Sequence, residues 1–256
     1  MSWKNYIRSG ITSPHWTEDL FFEGVSEGGF KLNVANTPLK KAREYAEKQF
    51  QGAGKSLDEV IPEFDVNYKK IQDKLKKAKD VPRIQMPVIE PSDMEEFKKK
   101  LTSGHIDIFK PIAKDAWAEL KGVSDEQFPT NLNASNGKLW LTLGQKDGKD
   151  SDDKVKAKMT KFSCKDLYPS QSQIWLEKLI TNIIQFGVPE DGGFITKAPI
   201  IVTSDKYILD GHHRFGQIML SNPKVKLTAL YIPLKFDLLL KVGGSYGDAI
   251  GNQRKA

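Results

Sequence analysis

The stretch from Pro199 to Leu220 constrains this chain more than any other. Pro199-Ile200-Ile201-Val202 is a short apolar run of the kind that fills a buried strand. Ser204-Asp205-Lys206 then reads as a turn, and Tyr207-Ile208-Leu209 as the returning arm of a hairpin. Asp210-Gly211-His212 bends the chain, and His213 to Leu220 has a helical pattern that Asn222-Pro223 breaks. A strand that runs through a glycine bend into a helix fixes a particular local geometry. Gly211 permits a sharp turn and a close backbone approach. The first N–H groups of the helix lack intrahelical partners and carry the positive end of its dipole, which attracts anions.

The side chains at this bend suit the same chemistry. Arg214 is able to fork two oxygens of a phosphate. His212 or His213 is able to donate to a third oxygen or to move a proton. Asp210 is placed to hold a magnesium ion or to orient an imidazole. The plainer reading is a structural bend with Asp210 as helix cap and surface histidines. Four polar residues around one glycine weigh toward an anion site. A zinc site is disfavoured, because adjacent helical residues point about 100° apart, and His15 and His105 are remote in sequence.

The flanking pattern is α+β. Lys161 to Leu167 reads as a strand, with Cys164 on it. Pro169-Ser170-Gln171-Ser172 reads as a turn and helix cap, in which Ser170 and Gln173 form a capping box. Trp175 to Phe186 reads as a helix that ends at Gly187, and Val225 to Ala229 as a last strand ending near Pro233. Trp175 is a candidate base-stacking residue, though partial core packing explains it as well. Lys197 and Lys206 are candidate phosphate contacts, with solvated turn lysines as the default.

The region before residue 150 is mostly helical. Thr37-Pro38 marks a helix start, followed by Leu39, Ala42, Ala46 and Phe50 at helical spacing and stopped by Gly52 and Gly54. A second helix is expected from about Asp65 to Lys79. Ser92-Asp93-Met94-Glu95 spells a capping box for a third, with Met94, Phe97 and Leu101 inward and Gly104 as its stop. Ala113 to Leu120 reads as helix, Leu139 to Leu143 as strand, and Gln145 to Lys158 as a polar linker. Residues 1–36 read as an aromatic-rich arm, and Gly243 to Ala256 as a loose tail. The expected division is therefore 1–150, 151–235 and a flexible 236–256.

Bulk composition narrows the function classes. Of the 256 residues, 39% are hydrophobic and 28% charged, with a net charge of +6. Lysines and acids are mixed from Thr37 to Asp80, which suits a solvated helix face better than a nucleic-acid track. One cysteine excludes an internal disulfide and a multi-cysteine zinc site, as expected inside a cell. No apolar run reaches the ~20 residues of a membrane span, and Met1 to Gly10 lacks a signal-peptide core.

With these residues in view, the P-I-I-V hairpin and the D-G-H-H-R bend resemble the nucleotide-binding core of the ParB/sulfiredoxin superfamily. Residues 161–234 follow its order of elements. Leu167-Tyr168-Pro169-Ser170-Gln171 with this bend is similar to the ParB-like proteins of tailed phages, often labelled ParB-like nuclease domains. Arg83 to Ile89 and the helix after it are similar to what precedes that core. The resemblance implies a small mixed sheet behind a helical region. It also implies binding of a nucleotide (ATP, ADP or CTP) or of a nucleic-acid phosphate, with or without Mg2+. Gly211, His213, Arg214, Ser170 and Gln171 would then be the phosphate-binding residues. Asp210, His212 and His213 would serve any NTP hydrolysis, phosphotransfer or nuclease step, with Asp210 as metal ligand. The setting implied is a phage protein in the host cytoplasm or in the virion, among other phage proteins.

The departures from that superfamily are specific. Sulfiredoxins look like Gly-Cys-His-Arg at the bend, where this chain has His212. Partitioning ParB proteins carry a Gly-Glu-Arg-Arg box and a helix-turn-helix domain, for which the residues after Pro233 are too few and too polar. The free-serine kinases place a His-Glu pair after the first proline, with the glutamate as base. Ser170-Gln171 stands there instead, and kinase chemistry would need Asp210 or Glu177. The alternative is a non-catalytic structural or assembly protein that keeps the fold as a binding module.

Overall fold

The computed structural model describes residues 31–106, 108, 153–250 and 252. The expected arm (except 31–36), the 113–120 helix, the 139–143 strand and most of the 145–158 linker lie outside them. The chain is α+β, with eight helices among the described residues and a five-stranded mixed sheet. Before the sheet come α1 (Leu39–Gly52), α2 (Leu57–Val60), α3 (Phe64–Leu75) and α4 (Met94–Ser103). Then follow β1 (Lys158–Ser163), β2 (Tyr168–Pro169), α5 (Leu176–Phe186) and α6 (Phe194–Lys197). The last elements are β3 (Ile200–Val202), β4 (Tyr207–Asp210), α7 (His212–Ser221), β5 (Lys226–Tyr231) and α8 (Phe236–Ala249). No helix among the described residues is long and apolar enough to cross a membrane.

The sheet runs β1-β5-β3-β4-β2. β3 pairs antiparallel with β4, as the hairpin pattern requires, and parallel with β5. The period-two alternation of strands sorts side chains to two faces. Ile200, Val202, Ile208, Leu227 and Ala229 pack with α1, α3, α5 and α7. Ile201, Leu209 and Leu230 pack with α4 and α8. All three residues of β3 are buried because helices cover both faces, which is why its sequence is apolar throughout rather than alternating.

Both cores draw on residues from either side of position 150. Ala42, Phe50, Phe64 and Ile71 share one with Leu179 and Phe215, and Met94, Phe97 and Leu101 share the other with Leu230 and Phe236. The expected boundary therefore does not separate two cores.

The expected loose tail is also corrected. Residues 236–249 form α8, with Phe236, Leu239, Val242 and Tyr246 buried on the sheet. Its glycines serve close packing. A Cβ at Gly243 would lie 3.1 Å from Leu209 Cδ2, and one at Gly247 would lie 2.9 Å from the Val88 carbonyl oxygen. Asp205, in the β3–β4 turn, accepts the Phe236 N–H at 3.0 Å and so caps the helix start. Asn252 Nδ2 donates to Val88 O at 2.9 Å and to Asp93 Oδ2 at 3.0 Å, tying the end of this segment to the chain before α4.

Three expected helix caps do not form. The Thr37 hydroxyl donates to Asn33 O at 2.7 Å, and Pro38 stands at the cap position of α1. Asp93 precedes α4 without a side-chain cap bond, and its Oδ2 accepts from Glu90 N at 3.2 Å. α5 begins at Leu176, after an uncapped Trp175. The Ser170 hydroxyl expected to cap it donates to Ile208 O instead, and the Ser172 hydroxyl bonds Asp80. β1 also starts earlier than expected, and Cys164 falls in a 3-10 turn after it.

Candidate functional site

Two strand pairings assemble the bend. β2 lies parallel to β4 with Tyr168 opposite Tyr207 and Pro169 opposite Ile208, so the chain leaves β2 at Ser170, beside the end of β4. Ser170 Oγ donates to Ile208 O at 2.7 Å. β4 ends at Asp210, Gly211 turns the backbone at φ 95°, and α7 starts at His212. This is the strand–glycine–helix order expected from the sequence.

The glycine makes the sharp turn expected of it, and the packing around it adds a second requirement. A Cβ at Gly211 would lie 2.2 Å from Ile200 Cγ2 and 3.0 Å from Arg214 Nη2. The close approach over this residue is made by the chain's own Ile200 and Arg214, and the positive φ independently favours glycine.

Both imidazoles face the loop between β2 and α5. His212 Nε2 accepts the Ser170 N–H at 3.1 Å and lies 3.0 Å from Ser170 Oγ. A backbone N–H can only donate, so Nε2 is the acceptor in the bond with Ser170 N. The single hydroxyl proton of Ser170 goes to the shorter contact, with Ile208 O. His213 Nε2 likewise accepts the Trp175 N–H, in a longer bond of 3.4 Å. Both histidines are buried. They pin the 170–175 segment to the first turn of α7, and each uses for this the lone pair that a general base would need. Neither is the surface histidine of the plainer reading.

Arg214 is the group that answers the phosphate expectation. Its side chain is 8% exposed, and Nη2 lies 3.1 Å from Asp210 Oδ2. Its Nε is buried without a hydrogen-bond partner among the described residues. A guanidinium in this position, in the first turn of a ten-residue helix, adds full positive charge to the dipole end. Asp210 spans one helical turn to fix the guanidinium and is the more exposed partner, at 21%.

The expected metal role of Asp210 finds little in the donor set. The carboxylate already faces a cation. No group of three or more His, Cys, Asp or Glu among the described residues is placed to hold a metal ion.

The remaining candidates separate by location. Ser170 joins the bend through His212, and Gln171 is buried beside it in the chain. Glu177, the alternative base, has its Oε1 engaged by the N–H groups of Lys31 and Leu32, each at 2.9 Å, and its Oε2 buried without a hydrogen-bond partner among the described residues. Lys206 sits at the other end of β4, its Nζ 4.5 Å from the centre of the Phe162 ring, and Lys197 is exposed at the end of α6. Trp175 is half-buried, and its backbone N–H is given to His213. Burial pushes the Cys164 thiol up to about 12, so it stays protonated and unreactive at neutral pH.

Sequence reasoning missed Gln217. It lies on α7 three residues after Arg214, has no exposed surface, and neither its Nε2 nor its Oε1 has a partner among the described residues. A glutamine among Phe215, Ile218, Met219 and Leu220 was the one signal available. No family model, curated protein or solved structure matches the chain.

Proposed function

We propose that this chain binds the phosphate of a nucleotide or of a related small ligand at the β4–α7 bend. The binding module is the α+β core whose hairpin and D-G-H-H-R bend resemble the ParB/sulfiredoxin superfamily. One observation carries the reading. Arg214 is a buried cation at a helix N-terminus that pairs with Asp210 and has an Nε–H without an acceptor among the described residues. Burying such a donor costs about 1–3 kcal/mol, more for a charged group, and a phosphate oxygen would recover it.

The bonding of the histidines favours binding over turnover. An imidazole that accepts a fixed backbone N–H cannot accept a substrate proton until that bond opens. This supports the module reading above NTP hydrolysis, phosphotransfer or nuclease action. In the setting that the resemblance implies, the chain is a phage protein with its partners among other phage proteins.

The test is a thermal-shift panel of ATP, ADP, CTP and GTP, each with and without magnesium, on the full chain and on Arg214→Lys. Lysine keeps the charge but loses the Nε–H and the fork. A bound nucleotide raises the melting temperature of the wild type in a concentration-dependent way. The variant should lose that shift while staying folded. A wild type that no nucleotide and no inorganic phosphate stabilises would sink the proposal.

A further inference from the structure

We propose that Gln217 is the second half of the anion site and selects a phosphorylated ligand that carries a hydrogen-bond donor, such as a hydroxyl, beside its phosphate. The inference rests on the phosphate reading above and specifies the ligand class.

Position comes first. Residues three apart on a helix are neighbours on its surface. Helical side chains lean toward the N-terminus, over the turn that precedes them. For Gln217 that turn holds His213 and Arg214, so its amide lies toward the start of α7. There the Arg214 Nε also lacks a partner among the described residues.

Chemistry comes second. Native proteins rarely bury an amide with neither end bonded, and each such group calls for a water, an ion or a ligand. Gln217 is 0% exposed and Arg214 7%. Together they offer one guanidinium N–H, two amide N–H groups and one amide oxygen. The N–H donors suit the oxygens of a phosphate. The amide oxygen accepts only, so a bare phosphate dianion leaves it unsatisfied. A hydroxyl next to the phosphate would donate to it. A site that bonds a substrate hydroxyl rejects analogues lacking it, because its own buried group is then left unpaired. The enclosure of Gln217 sets a further limit, since the group that reaches it must be small.

The experiment compares glycerol 3-phosphate, which has donor hydroxyls, with methyl phosphate, which has none. Binding of each is measured by calorimetry on the full chain, on Gln217→Met and on Gln217→Leu. Methionine keeps the side-chain length without the amide, and leucine guards against a local fault of packing. The wild type should prefer glycerol 3-phosphate at least about tenfold. Both variants should fold with melting temperatures at or above that of the wild type, since no bond is lost, and the preference should fall to near unity. If the wild type binds both compounds equally, or if the preference survives in both variants, the role of Gln217 is overturned while the phosphate reading stands. If the wild type binds neither compound nor inorganic phosphate, both fall together.

Discussion

Gly211→Ala should remove about 2–5 kcal/mol of folding stability, from two independent sources. Holding an L-residue in the left-handed region costs about 1–2 kcal/mol, and Gly211 has φ 95°. The new Cβ would stand 2.2 Å from Ile200 Cγ2. Ile200 is fully buried on β3, between covered faces, so it has little room to retreat. Forcing one extra carbon into such a core costs about 1–3 kcal/mol. The sum is a large share of the roughly 5–15 kcal/mol that holds a typical domain. Urea unfolding followed by circular dichroism measures it. A double-mutant cycle separates the two sources, because Ile200→Ala removes the clashing methyl at its own cavity cost. In that background the 2.2 Å contact is gone, while those with the Cβ of residue 200 at 2.9 Å and with Arg214 Nη2 at 3.0 Å remain, so Gly211→Ala should cost less than in the wild type, by at most about 3 kcal/mol. A Gly211→Ala cost below about 1 kcal/mol, or no coupling to Ile200, would refute the packing assigned to the bend.

Two further predictions concern packing elsewhere. Gly247→Ala should lower the melting temperature. Alanine gains about 1 kcal/mol of helix propensity, but its Cβ would meet the Val88 carbonyl oxygen at 2.9 Å; a rise in melting temperature would show that α8 does not lie against residues 86–89. Cys164 should give a pH dependence at the alkaline end. Burial raises its folded pKa to about 12, above the unfolded value, so its contribution is constant below about pH 8.5 and is lost as pH rises, by at most about 1.4 kcal/mol per unit, and it is read between about pH 8.5 and 10, below the range where the buried Tyr68 and Tyr246 add their own dependence. Cys164→Ala should flatten that slope, and a native thiol that reacts quickly with a disulfide reagent at pH 8 would contradict its burial.

The hairpin, the bend and the amphipathic helices could be read from the sequence because local pattern dictates them. Ile200 to Val202 and Tyr207 to Leu209 pair as expected, and α7 starts within one residue of its expected place. Helix caps were not legible, because a hydroxyl takes whichever acceptor the tertiary fold brings near. Thr37 turns to Asn33 and Ser170 to Ile208. α8 was hidden by its glycines, which are poor helix formers; their use becomes evident only once residues 87–89 lie against them. The histidines were assigned chemistry because their partners, the N–H groups of Ser170 and Trp175, leave no trace in side-chain identity. Gln217 was illegible for the opposite reason, since only burial makes a lone glutamine unusual.

The way the last helix closes the second face of the sheet bears on how the chain acquires its structure. Ile201, Leu209 and Leu230 are covered by residues from α4 and from α8, segments more than 130 positions apart. Contacts of such sequence separation slow folding, because loop closure must precede any gain from packing. During synthesis the sheet could collapse on α1, α3, α5 and α7 as soon as β5 is made. Its other side would have only α4 to cover it until α8 emerges. For that interval a nascent chain would display an apolar sheet face, the kind of surface on which chains associate wrongly and chaperones act.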